Sequence, residues 1–230
     1  MIALRCKMSR QPTQVPSAKD RAAFTGEGIA LAALRLIDEQ GIDAFSFRML
    51  GARIGLQAMS LYHYFVNREA LLDVVVDCMV AEVSLPNLNR VDWRPGLQQL
   101  AYRYRVMGHR HRRAIPLLVE RCPASPRMHR FLDTLSGLLL KAGLDPINAA
   151  RWLLIQRDYV LGSLMADFST GLQATEKNRQ ASISGMAGNL VRPNLVFGRR
   201  AREHAFRKGF DALLDAIEHE QRKRGQCKPE

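Results

Sequence analysis

The sequence predicts an all-α protein, and three observations lead to this prediction. Apolar residues recur at helical spacing along most of the chain, and residues typical of helix caps flank these stripes. No four-residue stretch of strict polar and apolar alternation is bracketed by hairpin turns, as a strand pair would require. The apolar fraction of 47% supports a sizeable core. No uncharged apolar run reaches the roughly 18 residues of a membrane span, so we expect no membrane segment.

The N-terminal region begins with three predicted helices of decreasing length. The first spans residues 25–40, ends at Gly41 and has a buried face of Ile29, Ala33, Leu36 and Ile37. The second ends at Gly55 and is marked by a stripe of Phe47, Leu50 and Ile54. A third, short helix is predicted at about residues 58–64.

A longer fourth helix leads out of this region. Asn67 is its candidate N-cap, because an Asn side-chain oxygen can accept from an unpaired backbone N–H, and the helix should run to about Val83. The break "SLPNLNRVD" follows. Beyond it, a capping residue with a nearby proline marks three further helix starts, at Asp92 with Pro95, Ser125 with Pro126, and Asp145 with Pro146.

These starts open a C-terminal set of helices, predicted at about residues 93–107, 111–121, 126–142 and 146–168. Residues 169–198 contain several glycines and few large apolar groups, so we interpret them as a mobile connector with room for one short helix. A last helix is predicted at about residues 200–223. No internal repeat is visible along the chain.

The chain is basic, with 34 Lys and Arg against 22 Asp and Glu and a net charge of +12. Such an excess attracts polyanions, nucleic acid above all, although charge alone is weak evidence. The four cysteines are scattered without a CxxC pair, which suits a reducing cytoplasm and predicts neither a disulfide framework nor a zinc site. Residues 1–23 lack the apolar centre of a secretory signal and are interpreted as a flexible basic arm.

The segment around "GLQ" has the dimensions of a helix-turn-helix, with two short helices after a longer one. At about 100° per residue, a helix that buries Leu61 also buries Phe65. The outward face then presents Met59, Ser60, Tyr62 and His63, with Tyr64 at its edge. Such hydroxyl and apolar groups suit contacts to phosphates and base edges in a major groove. The alternative is that the tyrosines pack against the following helix.

From Phe24 to Val83 the chain resembles the DNA-binding region of the TetR family of transcriptional regulators. The matching motifs are "ALRLIDEQG", "FSFRMLGARIG", "MSLYHYF" and "NREALLD". Three later motifs, "DWRPGLQQLAYRYR", "LLLKAGLDPINAA" and "AFRKGFDALLDAI", more weakly resemble the ligand-binding region of the tetracycline-repressor branch. The resemblance implies an arm at residues 1–23, a helix-turn-helix DNA-binding domain at 24–84, and a larger effector-binding and dimerisation domain at 91–225.

The resemblance also implies contacts with double-stranded operator DNA. The positions that match are Ser46, Arg48, Met59, Ser60, Tyr62, Tyr64 and Arg68. Arg48 is expected to read a base, since a guanidinium can pair bidentately with guanine. Arg68 and the two tyrosines are expected to hold the phosphate backbone, whereas His63 is expected to be solvated or packed.

A homodimer is expected, because one recognition helix is too small for specific binding and dimers place two on paired half-sites. We expect the last helix to supply the dimer surface, with Gly209 and Ala216 allowing close approach, through Phe206, Phe210, Leu213, Leu214 and Ile217. The preceding long helix should add Trp152, Ile155, Tyr159 and Gly162. The alternative is that these side chains form the core of a single chain.

The second domain is expected to enclose a small-molecule effector between its helices. Candidate lining residues, each of which could equally be ordinary core, are Met107, Leu117, Leu118, Leu135, Leu139, Trp152, Gln156 and Tyr159. No cofactor or metal is expected. Pro116 and Leu117 stand where the drug-binding member of the branch uses a histidine. His109 and His111 point to opposite sides of a helix and are expected to be solvated.

Nine arginines lie between Arg94 and Arg130, against the single acid Glu120. We favour a solvated face for this stretch. The alternatives are a site for an anionic effector and contact with DNA outside the operator.

The combined prediction is a sequence-specific DNA-binding transcriptional regulator, a repressor that a small molecule releases from its operator. The alternative is an accessory or architectural DNA-binding protein without effector control. An enzyme is not predicted, because the sequence lacks a phosphate-cradling Gly loop, a nucleophile elbow, an HExxH pair and a clustered carboxylate dyad.

Overall fold

The computed structural model describes residues 25–168 and 199–226, which form helices joined by short turns. Within these ranges the α-helices are α1 (Gly26–Gln40), α2 (Phe47–Ile54), α3 (Ala58–Leu61), α4 (Arg68–Ala81), α5 (Trp93–Arg110), α6 (Ile115–Glu120), α7 (Pro126–Lys141), α8 (Pro146–Phe168) and α9 (Arg199–Gln226). The predicted all-α class is confirmed, with no strand among the described residues. The predicted arm and the connector at 169–198 lie outside them.

Side-chain caps fix several of the helix starts. The side chains of Thr25, Ser46, Asn67 and Ser125 each accept a hydrogen bond from a backbone N–H in the first turn, at 2.8 to 3.3 Å. Such bonds satisfy donors that have no partner inside the helix. The predicted caps at Asn67 and Ser125 are therefore confirmed, whereas Asp92 precedes α5 without a side-chain cap bond.

Two helices differ from their predicted bounds. α3 is a single turn, and residues 62–64 continue it as a hydrogen-bonded turn. The helix predicted at 111–121 is a 3-10 turn over Arg112–Ala114 followed by the shorter α6. Pro116 explains the late start of α6, because proline has no N–H to donate and is tolerated only in the first turn.

The N-terminal domain is built on α1 and α4, which pack against each other, with α2 and α3 across one end. Leu50, Leu61 and Phe65 join α2 and α3 to this core. The turn between the two short helices comes very close to α2 at Gly51, where an added Cβ would lie 2.6 Å from the Leu56 carbonyl oxygen. A side chain larger than hydrogen at this position would push α3 away from α2.

The C-terminal domain is a layered bundle in which α5, α7 and α8 pack together and α9 lies against α8 and α5. Its buried polar anchor is Arg105 on α5, which bonds Asp167 and donates to the Ser163 hydroxyl oxygen at 2.7 Å. The guanidinium also lies 4.4 Å from the Phe206 ring centroid. One side chain therefore ties together three helices. Across the described ranges, none of the helices combines the length and apolarity needed for a bilayer.

The residues predicted to form the dimer surface of the last helix need correction. Phe206, Phe210, Leu214 and Ile217 are buried within a single chain, and Leu213 is half-buried. Gly209 is small for an intramolecular reason, since an added Cβ would lie 2.2 Å from the Tyr159 hydroxyl oxygen. These residues belong to the core of one chain, which is the alternative reading of their periodicity.

Candidate nucleic-acid interface and effector cavity

The predicted recognition element, which is α3 with the turn of residues 62–65, presents the surface predicted from its helical spacing. Leu61 and Phe65 are buried, which fixes the orientation of α3 and of the turn after it. Met59 is 72% exposed, and Tyr62 is 52% exposed. The Tyr62 ring packs on Phe47 of α2, with ring centroids 5.0 Å apart. Tyr62 thus braces the two short helices against each other while most of the ring's outer side remains accessible.

The remaining predicted DNA contacts differ in how exposed their side chains are. Arg48 is exposed at the start of α2, and Tyr64 is exposed after α3. Ser46 and Ser60 are half-buried, and the Ser46 oxygen already caps α2. Its O–H can still donate to a phosphate, because capping uses only a lone pair.

The Arg68 side chain already has partners within the protein, which the resemblance did not imply. It is half-buried at the start of α4 and donates to the Ile42 carbonyl oxygen at 3.3 Å. Its guanidinium also lies 5.7 Å from the Phe45 ring centroid and 3.6 Å from the Glu69 carboxylate. The side chain therefore anchors the loop between α1 and α2, with donors left over for a phosphate.

A cavity of about 450 Å³ lies in the C-terminal domain between α5, α7 and α8, with the end of α6 and part of α9 in its wall. Apolar side chains dominate its lining. The aromatic rings of Tyr104 and Phe131 lie in the wall with centroids 5.3 Å apart. Burial raises the pKa of Tyr104, so the phenol is protonated at neutral pH. The size and apolar lining are typical of small-molecule sites.

Three of the eight predicted lining residues, Leu118, Leu135 and Gln156, lie in the cavity wall. The structure places the other five elsewhere: Met107, Leu117 and Leu139 are packed core, whereas Trp152 and Tyr159 fasten α8 to α9. Trp152 donates to the Glu220 carboxylate at 2.8 Å, and Tyr159 donates to the Phe206 carbonyl oxygen at 2.9 Å. For these five, helical spacing identified a buried face and not a cavity.

A row of hydrogen bonds and ion pairs, here called the polar seam, joins the two domains along α4. Arg121, at the end of α6, pairs with Glu69 and donates to Asp73 at 2.9 Å. Arg127 on α7 donates to Glu27 of α1 at 2.8 Å, and Ser125 bonds Asp77 of α4. Arg121 also belongs to the wall of the cavity. A single side chain thus contacts both the cavity and the helix that follows the recognition element.

His111 lies at the other end of this seam and is 7% exposed. One ring nitrogen is 2.7 Å from Asp38 of α1, and the other is 3.0 Å from Glu82 beyond α4. Burial alone would lower the pKa of His111, but the hydrogen bonds with Asp38 and Glu82 outweigh it and the pKa is raised. The expectation that His111 is solvated is wrong, because the sequence does not reveal that two distant acids enclose it.

The other histidine of the pair, His109, is half-buried, and its ring lies 3.3 Å from Asp167 and edge-on to Phe168. Within the described ranges, no cluster of three or more His, Cys, Asp or Glu has the arrangement of a metal site.

The arginine-rich stretch is only in part a solvated face, with Arg110, Arg112, Arg113 and Arg130 exposed. Most of its members bond acids or carbonyl oxygens of other elements, as Arg94 does with Asp215 and Glu218 of α9, and Arg110 with Glu82. The sequence offers no signal for these pairings, since the partners are up to 124 residues away. Most arginines of this stretch therefore connect neighbouring helices or the two domains through hydrogen bonds and ion pairs.

Comparison with known proteins agrees with this architecture. Residues 29–75 match the family described as bacterial regulatory proteins, tetR family, and residues 85–219 match the tetracyclin repressor-like C-terminal domain. The class A tetracycline repressor from transposon 1721 of Escherichia coli is 26% identical over 188 residues, which covers 81% of this chain and 87% of that protein.

Two solved structures are similar over most of the chain. TetR from Acinetobacter baumannii AYE has a TM-score of 0.67 at 27% identity, with coverage of 86% of this chain and 98% of that chain. The Streptomyces coelicolor protein ActR in complex with actinorhodin has a TM-score of 0.72 at 24% identity, with the same coverage, and supports the fold alone.

The exposed recognition element, the helical second domain and these matches define a DNA-binding transcriptional regulator. The chain belongs to the TetR family, with a C-terminal domain of the tetracycline-repressor type.

Proposed function

We propose that this regulator represses transcription from a specific operator and is released when a small molecule enters the cavity between α5, α7 and α8. The observation that carries the proposal is the position of Arg121, which lines the cavity and bonds Glu69 and Asp73 on α4. A ligand that shifts the end of α6 would act directly on the helix next to the recognition element. By linkage, a ligand that prefers the shifted form weakens DNA binding by the same factor.

We further propose that the recognition element reads the major groove. Arg48 is the proposed base reader, and the exposed Met59 and the half-buried Ser60 are proposed to lie against base edges. Tyr62, Tyr64, Ser46 and Arg68 are the proposed phosphate contacts, and these set the orientation of the domain on the duplex.

Two copies are proposed to pair through the outer face of α8. Its exposed apolar side chains share one side of the helix, at Ile147, Leu154, Ile155 and Met165. Gly162 lies on the same side with open space around it, and Ala212 and Ala216 are exposed on α9. An exposed apolar stripe of this kind is typical of an interface between copies, because water contact with it is unfavourable.

The decisive experiment is selection of bound duplexes from a random pool, followed by affinity measurement at fixed salt. A specific regulator should bind the selected duplex at least about 10³-fold more tightly than random DNA. A protein that shows no enrichment and binds all duplexes alike would instead fit the accessory or architectural alternative.

The coupling role of Arg121 is tested with Arg121→Gln and a matched control, Arg130→Gln, whose side chain is exposed on α7. We expect Arg121→Gln to change operator affinity at least about tenfold, which corresponds to about 1.4 kcal/mol, while Arg130→Gln leaves it unchanged. Equal behaviour of the two variants would contradict the proposed route between cavity and recognition element.

A further inference from the structure

Two residues of the cavity lining, Gln156 and Arg121, each have a buried nitrogen atom without a hydrogen-bond partner among the described residues. The Gln156 side chain is 3% exposed, and its amide nitrogen has no hydrogen-bond partner among the described residues. Buried polar groups without partners destabilise a fold, and native proteins rarely keep them without a reason. A leucine would fill the Gln156 position without this penalty.

The charged residues of the lining leave no buried charge for a ligand to neutralise. Glu69 and Asp73 balance the charge of Arg121, although its Nε has no hydrogen-bond partner among the described residues. Arg157 is exposed and pairs with Asp158, and Glu120 is exposed. The deep wall, by contrast, is formed by buried apolar side chains such as Leu97, Leu100, Leu135 and Val160. Burial of an unpaired charge is far less favourable than burial of a hydrogen-bonded neutral group. The cavity therefore selects against ions.

We propose that the cavity takes an uncharged, ring-containing organic molecule whose carbonyl or hydroxyl oxygen accepts a hydrogen bond from the Gln156 amide. The rings of Tyr104 and Phe131 supply aromatic surface for the body of this molecule, since aromatic rings pair favourably with one another. The volume of about 450 Å³ is sufficient for a drug-sized molecule. This inference rests on the proposed effector role of the cavity and adds the chemistry of its ligand.

Three probes with the same ring system separate the effect of the hydrogen-bond acceptor from the effect of charge. Fluorenone carries a carbonyl, fluorene lacks it, and fluorenone carboxylate adds a negative charge. Binding is measured by calorimetry on the full-length protein without DNA. We expect fluorenone to bind about tenfold more tightly than fluorene, the range of one net hydrogen bond. The carboxylate should bind at least about tenfold more weakly than fluorenone, because its charge has no partner inside.

Gln156→Leu tests the residue that carries the inference. This variant should bind fluorene as well as before and lose the preference for fluorenone. It should also melt several degrees higher than the natural chain without ligand, because the unpartnered amide is gone. Gln99→Leu is the matched control, since Gln99 is exposed and lies outside the cavity, and it should retain the tenfold preference.

Cys122 allows the probe to be located. This thiol is exposed and belongs to the lining, whereas Cys78 is buried. In a Cys6→Ser and Cys227→Ser background, bound fluorenone should slow the alkylation of Cys122. An unchanged alkylation rate at saturating fluorenone would place the probe elsewhere and overturn the inference.

The inference also fails if wild type binds fluorene and fluorenone equally, if the carboxylate binds best, or if Gln156→Leu keeps the preference for fluorenone. The proposed function is tested by a different result. If the probes show these preferences but do not weaken the complex with the selected operator, the ligand chemistry stands and the proposed release of DNA by a ligand in the cavity is contradicted.

Discussion

Replacement of His111 should weaken the junction between the two domains, and it should do so in a pH-dependent way. Its two ring nitrogens face carboxylate oxygens, of Asp38 at 2.7 Å and of Glu82 at 3.0 Å. An ionised carboxylate only accepts hydrogen bonds, so both nitrogens must donate, and only the protonated ring has two N–H groups. The geometry therefore holds His111 as a cation between two anions.

The magnitude follows from these two bonds. A hydrogen bond that involves a charged group contributes about 1.5–3 kcal/mol to stability. Both carboxylates stay partly exposed, at 26% and 29%, so water recovers part of this when the ring is removed. A glutamine in place of His111 can still donate one bond. We therefore expect His111→Gln to lower the free energy of unfolding by about 2–3 kcal/mol near pH 6.

The pH dependence has a definite sign. The folded protein raises the pKa of His111 above its ordinary value of 6.5, since the bonds with Asp38 and Glu82 outweigh the effect of burial. The folded state thus binds the proton more tightly than the unfolded chain. The contribution is complete below pH 6.5 and is lost as the pH rises through the raised pKa. Arg110, which bonds Glu82, and Arg113, which bonds the Glu39 carbonyl oxygen, stay charged throughout.

The assay is denaturant unfolding followed by circular dichroism across this range, on wild type, His111→Gln and the control His129→Gln. His129 is exposed on α7, so its replacement should leave the profile unchanged. Relative to His111→Gln, wild type should lose at most about 1.4 kcal/mol per pH unit above pH 6.5. Parallel profiles for wild type and His111→Gln would refute the charged-ring argument.

Three further predictions concern DNA contact, pairing and packing. Arg48→Ala should weaken operator binding by about 1–3 kcal/mol and relax base preference, whereas Arg68→Ala should weaken all duplexes nearly equally; competition with mutated operators separates them. Ile155→Glu puts a charge on the exposed face of α8 and should yield monomers in sedimentation, and a persistent dimer would contradict pairing through that face. Gly209→Ala should destabilise the chain by about 1–3 kcal/mol in thermal unfolding, because its Cβ would meet the Tyr159 hydroxyl; an unchanged melting temperature would show that Tyr159 moves without loss.

The sequence predicted what short-range physical chemistry determines. Asn67 and Ser125 cap helices because their oxygens meet N–H groups three residues ahead, and that relation is visible in one dimension. The orientation of the recognition element followed from the spacing of Leu61 and Phe65 for the same reason. Residues whose partners lie within a turn or two are predictable from sequence alone.

The misassigned residues depend on distant neighbours. His111 is solvated or enclosed according to whether Asp38, 73 residues away, folds back onto it. The stripe around Phe206 and Phe210 marks a buried face of α9, but periodicity cannot tell whether a second chain or the same chain covers it. The prediction of cavity-lining residues has the same limitation. Met107 and Leu135 are equally apolar, and only the three-dimensional packing shows that Leu135 lines the cavity whereas Met107 is packed core.

The pairing of the arginine-rich stretch changes how the protein should respond to ionic strength. Guanidinium groups such as those of Arg94 and Arg105 are neutralised by carboxylates of their own chain. The count of 34 Lys and Arg therefore overstates the number of unpaired cations that a duplex can meet. The number of counterions displaced from DNA should match only the few phosphates in contact, so the salt dependence of operator binding should be shallower than the composition suggests.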